Sequence, residues 1–271
     1  MTRLTGKLAV LQEQNRKALL TFITAGDPQL SMTVPALHAL VAGGADVLEL
    51  GVPFSDPEAE GPAIQASSER ALDNGVTLAS TLQMVREFRD DDSQTPVVLM
   101  GYFNSVLAMG VEVFAEAALA AGVDGLIMVN LPPEAAGSLK RALDANGIDL
   151  VFLVAPTTTR ERAQFIVEQA AGFVYYVSLK GITGADHLQV ETVGERVRAL
   201  KTQTTLPIMV GFGIKDAVSA RAVALQADGI VVGSALVNTM AAGADVEETC
   251  ARLTEQVGEL RGAVDSATAA A

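Results

Sequence analysis

Glu49 interrupts the short apolar run Val47-Leu48-Glu49-Leu50, at a position where a buried strand calls for a hydrophobe. An ionised carboxylate there is costly unless a site uses it, so Glu49 is the first candidate for chemistry. Glu60 follows eleven positions later, in a Pro/Gly-rich loop that also carries Asp56 and Glu58. That loop is long enough to fold back over the mouth of the strand. Two carboxylates in unlike surroundings can divide the duties of acid and base. A structural Glu49 would instead need a cationic partner, and no basic residue stands near it in sequence. Glu60 taken alone reads as a solvated loop charge.

A second constellation is made of glycines. Gly181-Ile182-Thr183-Gly184, Gly211-Phe212-Gly213-Ile214 and Gly233-Ser234-Ala235 each follow an apolar run, and the last two open helical segments. Glycine lets backbone amides approach a ligand, and a helix N-terminus favours negative charge. Any one of these loops could be only a turn; the three together point to a phosphate. Tyr175 can line the same pocket or serve as plain core. His38 and His187, the only histidines, are far apart and read as surface or helix residues. With no His-Glu-x-x-His, no Gly-x-Ser-x-Gly and no cysteine cluster, neither a metal site nor a serine nucleophile is expected. Asp90-Asp91-Asp92 is a solvated helix end or loop.

The elements that must position these residues recur as one unit: an apolar run, a Gly-bearing loop, then an amphipathic helical stretch. Strands are expected over 18–23, 47–50, 96–101, 125–129, 149–154, 173–178, 207–211 and 229–232, and a preliminary helix over 4–17 places Leu4, Leu8 and Leu11 on one face. Helices are expected over 31–41, 63–73, 78–89, 111–121, 133–146, 160–171, 187–202, 215–227 and 246–261. Eight alternations in roughly 250 residues is the arithmetic of a (β/α)8 TIM barrel, so residues 1–271 are expected to form one such domain with an extra N-terminal helix that plugs its floor. A doubly wound open sheet is the alternative. Against it stand the lack of Gly-x-Gly-x-x-Gly after the first strand and the even spacing of the runs. The turns before strands two, four and eight, Ala42-Gly43-Gly44-Ala45-Asp46, Ala121-Gly122-Val123-Asp124-Gly125 and Gln226-Ala227-Asp228-Gly229, form a weak internal repeat. In such barrels chemistry sits at the C-terminal strand ends, where Glu49, sharing the parity of Val47, would point inward.

Composition bounds the partners. The chain has 271 residues, 49% hydrophobic, with 24 glycines and a net charge of −13, and no basic stripe interleaves with aromatics. Nucleic acid and anionic membrane surfaces are therefore not expected partners. No apolar run approaches the roughly 18 residues of a span, and the N-terminus lacks a signal-peptide core. Cys250 is the single cysteine, which suits a reducing cytoplasm.

Leu48-Glu49-Leu50-Gly51-Val52-Pro53-Phe54-Ser55-Asp56-Pro57, with Gly61-Pro62 and Ile64-Gln65, resembles the signature of the tryptophan synthase α-chain family. The resemblance continues in family order through 24–28, 100–104, 131–133, 175–184, 211–214 and 233–235, nearly the whole chain. It implies a lyase that cleaves indole-3-glycerol phosphate to indole and glyceraldehyde 3-phosphate by a retro-aldol reaction, with no cofactor on this chain. It implies Glu49 as general acid/base and Glu60 as acceptor of the indole N–H. Phe22, Met100 to Tyr102 and Ile127 would line the indole slot. Gly184, Gly213 and Ser234, in the loops that also carry Thr183, Phe212 and Gly233, would hold the phosphate. The implied partner is a β chain in an α2β2 assembly, met through loops around Asp56, Pro57, Glu58, Asn104 and Pro132.

Three positions depart from the family pattern. The family has Asp where this chain has Glu60, a large apolar residue where it has Glu58, and usually Asp where it has Asn130. The extra methylene moves a carboxylate by ~1 Å, enough to cost on the order of a hundredfold in rate. Glu58 is expected to raise the pKa of Glu60 as a neighbouring like charge. These changes motivate a second reading, an α-like subunit that binds substrate without turnover and regulates the β chain; a phosphate-binding isomerase or epimerase barrel is a third.

Overall fold

The computed structural model describes residues 2–177, 187–211 and 213–268. Along the chain run α1 (Arg3–Glu13), β1 (Ala18–Thr24), α2 (Thr33–Ala42), β2 (Val47–Gly51), α3 (Pro62–Asp73), α4 (Leu78–Asp91) and β3 (Val97–Gly101). Then follow α5 (Phe103–Met109), α6 (Val111–Ala121), β4 (Gly125–Met128), α7 (Gly137–Ala145), β5 (Asp149–Val154), α8 (Arg160–Gln169) and β6 (Val174–Val177). The chain ends in α9 (His187–Lys201), β7 (Ile208–Gly211), α10 (Ala217–Ala224), β8 (Gly229–Val232), α11 (Ser234–Ala242) and α12 (Val246–Thr268). Neighbouring strands are parallel, and β1 pairs with both β2 and β8, so the sheet closes in sequence order. Closure removes the open-sheet alternative and establishes the (β/α)8 barrel.

Strand side chains alternate between two apolar layers. Leu20, Val47, Val98, Ile127, Val151, Tyr175, Met209 and Val231 fill the interior, while Leu19, Leu48, Leu99, Leu126, Val210 and Ile230 face the surrounding helices. Leu4, Leu8 and Leu11 of α1 are buried with the interior set, so this helix closes the barrel floor. The fit is tight: a Cβ at Gly125 would come within 3.1 Å of Leu4 Cδ2.

The repeated turns have a physical role. Asp46, Asp124 and Asp228 each precede a strand, and each carboxylate accepts an N–H from the first or second residue of a neighbouring one, Leu19 (2.9 Å), Val97 (2.8 Å) and Ile208 (3.0 Å) respectively. Each is also paired with a cation: Arg261 with Asp46, Arg89 and Arg3 with Asp124, Lys201 with Asp228. Three strand entries are stapled by one device.

Several helix boundaries differ from expectation. The expected helix over 133–146 is split into a 3-10 turn (Pro133–Ala135) and α7, since Pro132-Pro133 and Gly137 interrupt its first turns. The short α5 is additional; Gly110, at φ 92°, separates it from α6. The last helix continues to Thr268, its buried face extended by Val264 and Ala267. Among the described residues no single helix is long and apolar enough to cross a membrane; α5 and α6 reach that length only jointly, across a 100° bend.

Candidate active site

Glu49 lies on the inward face of β2, between Phe22 of β1 and Val98 of β3 in register, and is 1% exposed. Neither carboxylate oxygen has a hydrogen-bond partner, and among the described residues no cation pairs with it. The charged form is therefore disfavoured: burial, with the charge of Glu60 adding to it, pushes the Glu49 carboxyl from 4.5 to about 8. At neutral pH this group holds a proton.

Glu60 reaches the same region from the loop after β2. The loop is closed by one bond within itself and tied to the body of the barrel by two others. Ala59 N–H donates to the Tyr102 hydroxyl at 3.0 Å, Glu60 N–H to Pro57 O at 3.1 Å, and Gln65 Nε2 to Glu60 O at 2.9 Å. Tyr102 is in turn stacked on Phe54, ring centres 4.8 Å apart. Half-buried in this frame, the Glu60 carboxyl is raised from 4.5 to about 7. Its cause corrects the expectation about Glu58. Burial lifts Glu60, whereas Glu58 is exposed and its charge acts on the Tyr102 hydroxyl.

Phe22, Met100 and Tyr102 line one cleft with Glu60, Thr24, Phe54 and Ile64. The cleft is nearly closed, with about 10 Å3 free, room for one water. Admission of an aromatic ring thus requires these side chains to part. Phe22 also lies against Gly51, where a Cβ would come within 2.6 Å of its ring, and beside Gly233. Ile127 is fully buried in the barrel interior, in register with Met100, and does not line the cleft wall. Tyr175 faces inward from β6 against Gly211, where any Cβ would meet its hydroxyl at 2.3 Å. Burial and then the charges of Glu49 and Glu60 drive its hydroxyl pKa well above 10, so it stays a protonated donor beside the two acids.

Of the glycine loops, Gly213 follows β7 with φ 43°, and Gly233-Ser234 opens α11 at the end of β8. The Ser234 and Ala235 amides precede the first intrahelical bonds, which begin with Leu236 and Val237 N–H donating to Gly233 O. Thr183, Gly184 and Phe212 lie outside the described residues.

Sequence reasoning missed Phe54, Thr24 and Ile64 as cleft residues. Phe54 and Ile64 stand within the 48–65 stretch, but the partner that places Phe54, Tyr102, is distant in sequence. Asn130 accepts Phe103 N–H at 2.9 Å, capping α5, and donates to Asn104 Oδ1 at 3.0 Å, a bond an Asp there could not make.

The description "Tryptophan synthase alpha chain" belongs to the family profile that matches residues 8–265. Relatives with that name include one from Alkalilimnicola ehrlichii, 53% identical over 98% of this chain and 97% of its own, and one from Chromobacterium violaceum, 54% identical over 97% and 100%. Among solved structures, tryptophan synthase subunit alpha from Legionella pneumophila superposes with a TM-score of 0.91 at 42% identity, covering 98% of this chain and 99% of that one. Tryptophan synthase from M. tuberculosis gives 0.88 at 35% identity over 98% and 99%. The chain belongs to the tryptophan synthase alpha chain family.

Proposed function

We propose that Glu49 and Glu60 together carry the reaction of this family on this chain. The reaction is that of a lyase, cleaving indole-3-glycerol phosphate to indole and glyceraldehyde 3-phosphate. The bond to break joins indole C3 to the hydroxyl-bearing carbon of the side chain, and the ring leaves only once C3 is protonated. Glu49, protonated at neutral pH by virtue of its burial, supplies that proton. Positive charge then develops toward the ring nitrogen, and the Glu60 carboxylate accepts the N–H and stabilises it. Glu49, now a carboxylate, takes the proton of the side-chain hydroxyl as the carbon–carbon bond breaks. The bonding pair returns to the ring, and the hydroxyl carbon becomes the aldehyde. Protons balance, and no external reductant or oxidant enters.

The observation that carries this reading is a fully buried, unpaired carboxyl with raised pKa, electrostatically coupled to a second carboxyl on the loop above it. Phe22, Met100 and Tyr102 provide the apolar wall for the ring, with Ile127 behind it; Tyr175 donates toward the side-chain hydroxyls. The phosphate end rests on the α11 N-terminus at Gly233 and Ser234 and on Gly213, with Thr183, Gly184 and Phe212 assigned to the same end by family resemblance.

The proposed partner is a tryptophan synthase β chain in an α2β2 assembly. The contact surface comprises the loops at Asp56, Pro57 and Glu58, at Asn104 and at Pro132, where all but the half-buried Pro57 are exposed. Indole release from indole-3-glycerol phosphate by the purified chain, with and without a β chain, tests the reading. Turnover that rises with the partner supports it; substrate binding without turnover in either case establishes the silent-subunit alternative.

A further inference from the structure

On the outward face of β5 and β6, a cavity of about 420 Å3 separates α8 from α9. Its walls combine Val154, Ala163 and Leu200 with Thr158, Thr159 and Thr202, and four longer polar side chains also line it. Tyr176, 2% exposed, lines it, and among the described residues its hydroxyl has no hydrogen-bond partner. Gln203 spends its amide N–H on Arg160 O at 3.3 Å, while its Oε1 is buried without a partner. Arg160 and Arg196, both exposed, line the same cavity, and among the described residues neither forms an ion pair. Arg196 is near enough to Tyr176 to oppose the effect of burial on its hydroxyl.

An unbonded hydroxyl, a buried acceptor without a partner and unpaired cations around a partly apolar volume are complementary to one kind of molecule. The geometry points to a second small-molecule site between α8 and α9, one that takes a compact aromatic carboxylate bearing a hydrogen-bond donor. The carboxylate meets Arg196 and the Tyr176 hydroxyl, the ring fills the apolar part of the volume, and the donor satisfies Gln203 Oε1. The site is separate from the barrel mouth. Tyr175 and Tyr176 are consecutive on β6 and therefore face opposite sides of the sheet, Tyr175 into the barrel and Tyr176 toward the helices.

The chain holds three tyrosines, Tyr102, Tyr175 and Tyr176, so incorporation of 3-fluorotyrosine gives one 19F resonance for the new cavity and two for the mouth. Titration of the full chain with 4-hydroxybenzoate should move the Tyr176 resonance saturably and leave the other two in place. Tyr176→Phe assigns the signal. Arg196→Gln, at an exposed position, should weaken binding by about tenfold or more, and the uncharged 4-hydroxybenzamide should bind more weakly by a similar factor. A shift appearing first at Tyr175 or Tyr102 would overturn the proposal. So would a Tyr176 shift that never saturates, or affinity unchanged in Arg196→Gln.

Discussion

Replacing Glu49 by Gln should make the protein more resistant to unfolding at alkaline pH while removing its chemistry. Below about pH 4.5 the Glu49 carboxyl is protonated in the folded and unfolded chain alike, so it contributes no pH dependence. Between 4.5 and about 8 the unfolded chain has released the proton and the folded chain has not, so folded stability falls as pH rises through that window. Above about 8 the charge is present in both states and the loss is complete. At about 1.4 kcal/mol per tenfold, the interval from 4.5 to about 8 amounts to roughly 5 kcal/mol, an upper figure because the barrel can relax around the charge. Gln has no proton to release. Its amide N–H groups would be unpaired in that interior at a cost of about 1–3 kcal/mol, but at every pH alike. The informative quantity is therefore the difference in slope. Urea unfolding at pH 5.5, 7 and 8.5 should show the variant gaining about 2–4 kcal/mol on the parent across the series, a large share of a typical domain stability of roughly 5–15 kcal/mol. Parallel stability curves would show that Glu49 is not held neutral by the fold and would refute the reasoning.

Glu60→Asp shortens the loop acid to the family residue and should raise turnover of indole-3-glycerol phosphate by up to about tenfold, read as kcat; a slower variant would mean that the loop anchored by Tyr102 has adapted to Glu. Glu58→Leu removes an exposed charge from the proposed partner surface and should tighten β-chain binding by about three- to tenfold in calorimetry. Unchanged affinity would remove that loop from the interface.

Much of this arrangement is legible in the residues themselves. Glu49 stands out because an acid interrupts an apolar run, and its parity with Val47 places it inside the barrel, as the interior packing of Val47 bears out. Leu4, Leu8 and Leu11 announce a one-faced helix, and that face is what closes the floor. What escapes the sequence is long-range. The turns at Asp46, Asp124 and Asp228 are visible as a repeat, yet their use becomes clear only when each carboxylate meets the backbone of another strand. Glu58 illustrates the reverse error, since two residues close in sequence point to different surroundings and adjacency does not make an electrostatic pair. The seven residues of α5 are too few to show a period beside α6.

The pH dependence of kcat/KM for indole release tests the division of labour between the two acids most directly. It should be a bell, rising near pH 7 as the pair gains the Glu60 carboxylate and falling near pH 8 as it loses the Glu49 proton, the two limbs belonging to the coupled pair. A rate that climbs without a break to pH 9 would contradict a protonated Glu49 as the group that starts the reaction.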